Sequence, residues 1–163
     1  ESIERRITMK IIVVSDTHSN NEILTRIEKK HSDAALFIHC GDLEDDPIEY
    51  PNWYFVRGNN DYFGGFLKER IMLAGDHRIY VTHSHKCPYY ARKEALLREA
   101  LKRGCDIVLY GHTHCSDIYE KNGILFINPG STWHSRNGKP PSYAILTLDG
   151  LSRKAEIVYE PEW

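Results

Sequence analysis

The stretch at residues 9–19, MKIIVVSDTHS, limits what this chain can fold into more than any other. Four consecutive apolar residues, Ile11, Ile12, Val13 and Val14, stop abruptly at Ser15, Asp16, Thr17 and His18. A short, β-branched run closed by a polar turn reads as a strand buried on both faces, as in the centre of an α/β sheet. Ligands of such sheets gather beyond the carboxyl ends of the strands. Asp16 and His18 leave the strand at that end, where a carboxylate and an imidazole can converge on one cation. Read alone, the pair is equally well a turn before a helix, where Asp and Ser are common. Its weight comes from similar strand ends downstream.

An apolar run at 34–38 closes with His39, Cys40, Gly41 and Asp42. His39 reads as a packed core histidine, and the acidic residues of the next loop, Glu44, Asp45, Asp46 and Glu49, as solvated surface. The strand at 53–56 ends in Arg57, Gly58, Asn59, Asn60 and Asp61, with Arg57 open to a carboxylate or a bound phosphate. Strands at 70–73 and 78–82, paired around Gly75-Asp76, deliver His83, Ser84 and His85. The strand at 107–110 delivers Gly111, His112, Thr113 and His114. A hairpin of 117–121 and 124–127, turned by Asn122-Gly123, runs into Asn128, Pro129, Gly130 and Ser131. Strands at 143–148 and 155–159 pair around Asp149-Gly150.

Two helices complete the pattern. Ser19 and Glu22 resemble a capping box, with Ile23, Leu24 and Ile27 on one face and an end near His31. Residues 91–103 form the second, with Gly104 just past the end and Tyr89 and Tyr90 packing ahead of it. Residues 9–163 read as one domain, and 1–8 as an extension or an expression remnant.

Composition narrows the function classes. A net charge of −2 over 163 residues gives no reason to expect nucleic-acid or membrane binding through bulk charge. No apolar run approaches the roughly 18 residues of a membrane span. The four cysteines, Cys40, Cys87, Cys105 and Cys115, are scattered without a CxxC pair, so they read as reduced thiols of a cytoplasmic protein. Nine histidines, several at strand ends, hint at metal chemistry.

In order, the strand ends are Asp16-x-His18, Gly41-Asp42, Gly58-Asn59-x-Asp61, His83-x-His85 and Gly111-His112-x-His114, backed by Asn128-Pro-Gly-Ser. This series closely resembles the calcineurin-like metallophosphoesterases. Within them it is most similar to the small bacterial and archaeal phosphodiesterases marked by DxH, GD, GNxD, HGH, GHTH and NPGS. The resemblance implies an α/β fold: a four-layer α/β/β/α sandwich of two mixed sheets flanked by helices, with two metals at one edge. It assigns Asp16, His18 and His114 to the first metal, Asn59, His83 and His112 to the second, and Asp42 to both. Such mixed ligands suit Mn²⁺, the first expectation, or Ni²⁺, Fe²⁺ or Zn²⁺. Asp16, Asp42, Asn59 and His112 would act through the metals, which share a hydroxide for in-line attack at phosphorus.

Asp61 is expected to orient a ligand such as His112 from behind, the 128–131 turn to buttress the site, and His85 to support a ligand or, less favoured, to donate to phosphate. Asn60 departs from the many relatives with His there, and Asn cannot protonate a leaving group. That favours a small phosphodiester substrate over a phosphomonoester or nucleotide, with His134 a conceivable stand-in acid. Ser84 replaces a usual Gly with a small steric effect, and Cys115 is an inert thiol. Tyr62, Phe63, Tyr89, Tyr90, Trp133 and His134 are expected to line the substrate pocket. Trp53 and Trp163 mark either a homo-oligomer surface or the core. The competing class is a non-catalytic interaction scaffold, because a retromer subunit shares the fold.

Overall fold

The computed structural model describes residues 8–163. The expected extension at 1–8 lies outside them except for Thr8, which opens the first strand. In chain order the elements are β1 (Thr8–Val14), α1 (Glu22–Lys30), β2 (Leu36–His39), β3 (Trp53–Phe55), β4 (Glu69–Ala74), β5 (His77–Thr82), α2 (Arg92–Arg103), β6 (Ile107–Tyr110), β7 (Asp117–Lys121), β8 (Ile124–Asn128), β9 (Ser142–Asp149) and β10 (Ser152–Tyr159). One sheet runs β10-β9-β1-β2-β3 and the other β4-β5-β6-β8-β7. Both are mixed. In the first, β1, β2 and β3 are parallel while β9 and β10 run against their neighbours. In the second, β5, β6 and β8 are parallel, edged by antiparallel β4 and β7.

Strand alternation divides the apolar residues into three packed layers. Ile11 and Val13 of β1 join Ile38, Ile79, Val81, Ile107, Leu109 and Ile127 between the two sheets. Ile12 and Val14 face the other way, against Ile23, Leu24 and Ile27 of α1. Val108, Tyr110 and Phe126 face outward from the second sheet onto Leu96 and Ala100 of α2. The result is the expected helix–sheet–sheet–helix stack. Both central strands read as unbroken apolar runs because each is covered on two sides. Each of these buried side chains contributes roughly 1.5–3 kcal/mol of transfer free energy.

Two local expectations change, and one open alternative closes. The helix after β1 is not opened by a capping box: Asn21 precedes it without a side-chain cap, and Ser19 sits in a left-handed turn at φ 63°. The second strand starts later, at Leu36, because Ala35 donates its N–H to Lys10 before regular pairing begins. Trp53 is 5% exposed, packs on Phe37 and donates its indole N–H to Glu28, so it belongs to the core. Trp163 rests against the Tyr143 ring. The helix end at Gly104 is as expected, with φ 66°.

Candidate metal centre

Five of the six parallel strands empty into one place. The turns after β1, β2 and β3 carry Asp16, His18, Asp42 and Asn59; those after β5 and β6 carry His83, His112 and His114. Two groups of these side chains come together, Asp16–His18–His114 and Asp16–Asp42–His83. Asn59 Oδ1 lies 3.0 Å from both His83 Nε2 and His112 Nδ1, which adds an amide oxygen and a further imidazole to the second group. Asp42 Oδ2 is 3.4 Å from His83 Nε2 and 3.8 Å from His18 Nε2, so it faces both groups. Asp16 Oδ1 does the same, 3.3 Å from His114 and 3.7 Å from His83.

Hydrogen bonds on the far side of each ring fix which atoms face inward. His18 Nδ1 donates to Glu44 Oε1 at 2.7 Å, His114 Nδ1 to the His134 carbonyl at 2.7 Å, and His83 Nδ1 to the Cys40 carbonyl at 2.7 Å. With Nδ1 carrying the proton, each Nε2 presents a lone pair. His18 and His114 then point two lone pairs at each other across 3.0 Å. Two acceptors hold that separation only with a positive charge between them, a shared proton or a metal ion. Asp16 Oδ1 is buried without any hydrogen-bond partner, while its Oδ2 takes the Ser15 hydroxyl and the His112 N–H. An unpaired carboxylate oxygen in a dry site is costly unless a cation completes it. The donor set therefore fits divalent cations.

Electrostatics agree. Burial works against ionisation of Asp16 and Asp42, yet the neighbouring imidazoles and hydrogen bonds win, and both carboxyls titrate below the usual range. Burial would depress His83, but Asp42 and Asp16 turn the shift upward. His112, held down by burial and by the His83 and Arg92 charges, falls to about 4. Together the two ionised carboxylates give the pocket a negative charge that suits a cation.

The backbone is bent hard to arrange this. Asp16, His18, Asp42, His112 and His114 all have positive φ, as does Ser84 at 74°. Each such non-glycine residue costs roughly 1 kcal/mol. Glycines relieve the tightest approaches: a Cβ at Gly58 would collide with the Asp42 carboxylate, and one at Gly111 with Ser15 Oγ. Ser84, where a Gly was expected, keeps the turn and donates its hydroxyl to the Gly111 carbonyl at 3.2 Å.

A calcineurin-like phosphoesterase superfamily domain matches residues 9–151. The chain belongs to that family. The probable metallophosphoesterase YsnB of Bacillus subtilis is 38% identical over 148 residues, covering 86% of this chain and 85% of that protein. A phosphodiesterase of Methanocaldococcus jannaschii is 29% identical over 93% of this chain and 100% of its own. Among solved structures, a predicted phosphoesterase from Streptococcus pneumoniae superposes with a TM-score of 0.88 at 27% identity, covering 94% of this chain and 90% of that one. Wild-type Vps29 of Entamoeba histolytica complexed with Zn²⁺ shares the fold, with a TM-score of 0.72 at 23% identity over 92% and 98% of the two chains.

Several sequence-based roles need correction. Asp61 orients a ligand as expected, but the ligand is Asp42 and not His112: its two oxygens accept the backbone N–H groups of Asp42, Gly58 and Glu44 at 2.7–2.8 Å. It ties the second and third strand ends together and so positions Asp42. Glu44 is no idle surface acid, since it orients His18. Asn60 grips Asp42 twice, through its backbone N–H at 2.9 Å and its amide at 3.1 Å. Tyr89 and Tyr90 pack edge-to-face on each other, ring centroids 5.5 Å apart, but are 86% and 79% exposed. They line a cavity of about 480 Å³ beside Thr113, while Tyr62 and Phe63 line another of about 250 Å³ beside Glu44 and Asn60. Other expectations match the contacts. His39 is fully buried, taking the Gly41 N–H and bonding Thr17, and burial lowers its pKa to about 3. Ser131 donates to the Asp16 carbonyl at 2.7 Å, so the 128–131 turn does buttress the site. Neither gathered donor group includes Cys115.

Proposed function

We propose that this metallophosphoesterase is a dinuclear phosphodiesterase. The observation that carries it is the pair of donor groups that share Asp16, with Asp42 Oδ2 facing both and acceptors facing acceptors. Asp16, His18 and His114 are assigned to one cation, Asn59, His83 and His112 to the other, and Asp42 to both. Mn²⁺ is the cation of choice, with Ni²⁺, Fe²⁺ and Zn²⁺ as chemically suited substitutes. When bound, two such cations supply charge neutralisation at phosphate and a water of lowered pKa. The chain's own part is positional: Glu44, His134 and Cys40 hold the imidazoles in one tautomer, and Asp61 and Asn60 hold Asp42.

Asn60 also argues for diesters. Its amide is committed to Asp42 and has no proton to give a leaving group, so esters whose leaving group departs unassisted are favoured over phosphomonoesters. The four free thiols suit a reducing compartment, the cytoplasm. The scaffold alternative draws on the exposed Tyr62, Tyr89, Tyr90 and Trp133, and diester turnover by the metal-loaded protein separates the two readings.

The test is hydrolysis of bis(p-nitrophenyl) phosphate with Mn²⁺ and the substitute metals. Folded protein that turns over none of these mixtures defeats the enzyme reading. Elemental analysis is expected to show Asp42→Ala losing both metals and Asn59→Ala chiefly one; unchanged counts in both variants refute the assignment.

A further inference from the structure

A cavity of about 560 Å³ opens beside the second donor group along Ser84 and His85. Ser84 is bonded to Gly111 and the His85 ring lies 5.4 Å from His83 and 6.2 Å from His112, so this cavity adjoins the proposed reaction centre. Its rim carries Arg57, Lys68 and Lys86. Among the described residues none of the three has a carboxylate within ion-pair distance. The two acids of the same cavity, Glu69 and Glu99, are both taken by Arg103, and Glu69 also accepts the Tyr80 hydroxyl. Among the described residues Arg57 Nε and His85 Nδ1 are buried without hydrogen-bond partners, and the Arg57 guanidinium makes one long hydrogen bond, to the Phe63 carbonyl at 3.5 Å. Tyr80, Pro88 and Ala95 supply an apolar lining.

Three unneutralised cations around an apolar lining, in a chain of net charge −2, are a local asymmetry that bulk composition does not produce. A volume of this size accommodates a nucleotide-sized group. Cations at the rim recognise phosphate or carboxylate, with Arg57 able to do so bidentately. We infer that this cavity holds one arm of the diester substrate, and that the arm carries a second anionic group of its own, held by Arg57, Lys68 and Lys86. This rests on the diesterase reading above and adds a substrate class: esters joining a leaving group to a nucleotide-like, additionally charged arm.

The experiment compares two chromogenic diesters, thymidine 5′-(p-nitrophenyl phosphate) and the same compound bearing a 3′-phosphate, with bis(p-nitrophenyl) phosphate alongside. In each nucleoside substrate water adds oxygen to phosphorus, the bond to the phenolate oxygen breaks, and p-nitrophenolate leaves with one proton released to solvent. The other product is thymidine 5′-phosphate or thymidine 3′,5′-bisphosphate. The expected result is a kcat/KM at least tenfold higher for the 3′-phosphorylated substrate, carried mostly by KM. That ratio should fall toward one in the Lys68→Ala/Lys86→Ala double variant, and Arg57→Lys should retain more of it than Arg57→Ala. A wild-type ratio at or below one, or a ratio the variants leave unchanged, overturns the inference. If bis(p-nitrophenyl) phosphate is still cleaved, the diesterase reading survives that failure; if no diester is cleaved, both fall.

Discussion

Single residues at this site act through their partners more than through their own reach. Glu44 shows it best: its carboxylate takes the His18 Nδ1 proton, fixing the tautomer that turns Nε2 inward. Such outer partners typically tune metal affinity 10- to 100-fold. Glu44→Ala is therefore expected to weaken divalent-metal binding by about that factor, read by chelator competition, while the metal-free protein melts within a few degrees of wild type. A larger melting shift, or unaltered affinity, would count against the orienting role. Nothing about Glu44 in the sequence distinguished it from Asp45, Asp46 and Glu49 in the same acidic loop. Only the left-handed turn at Glu44, φ 58°, swings it back toward His18.

At the scale of elements, periodicity served well and end chemistry less so. The runs that became β1, β6 and α2 were legible because each has one dominant pattern: unbroken apolar residues for two buried strands, and a repeating face for the helix. The start of α1 misled. Ser19 and Glu22 have capping-box spacing, but Ser19 donates its backbone N–H to Leu43 and stands in a left-handed turn, so its side chain caps nothing. Ser19→Ala should thus change unfolding free energy by less than about 0.5 kcal/mol in urea denaturation, where loss of a true cap costs about 1 kcal/mol. Tertiary contact between the first two strand ends outranked the local signal.

For the molecule as a whole, the two sheets must close on one another before a site exists, and folding also buries groups that prefer water. His39 lies fully buried behind Asp42 with its pKa at about 3, against 6.5 for the free side chain. The unfolded chain then takes up this proton before the folded protein does. Its contribution to stability is whole above pH 6.5 and drains away as pH falls toward 3. Between pH 7 and 4 the metal-free protein should lose about 3 kcal/mol through this one group. Denaturation curves in chelator across that range check it: His39→Gln, which cannot charge, should show a correspondingly shallower fall, and parallel curves would exclude the mechanism. The sequence by itself determined the succession of strands and helices and the chemistry of the candidate donors, since hydrophobic period and residue type are local properties; the layering came from the family resemblance. What it left open is which atoms face which. The mutual approach of His18 and His114, the clasp of Asp61 and Asn60 on Asp42, and the cation-rimmed cavity all join residues on different strand ends. Those distances exist only once the strands have paired and the two sheets have packed on their shared core, and no local pattern along the chain encodes them.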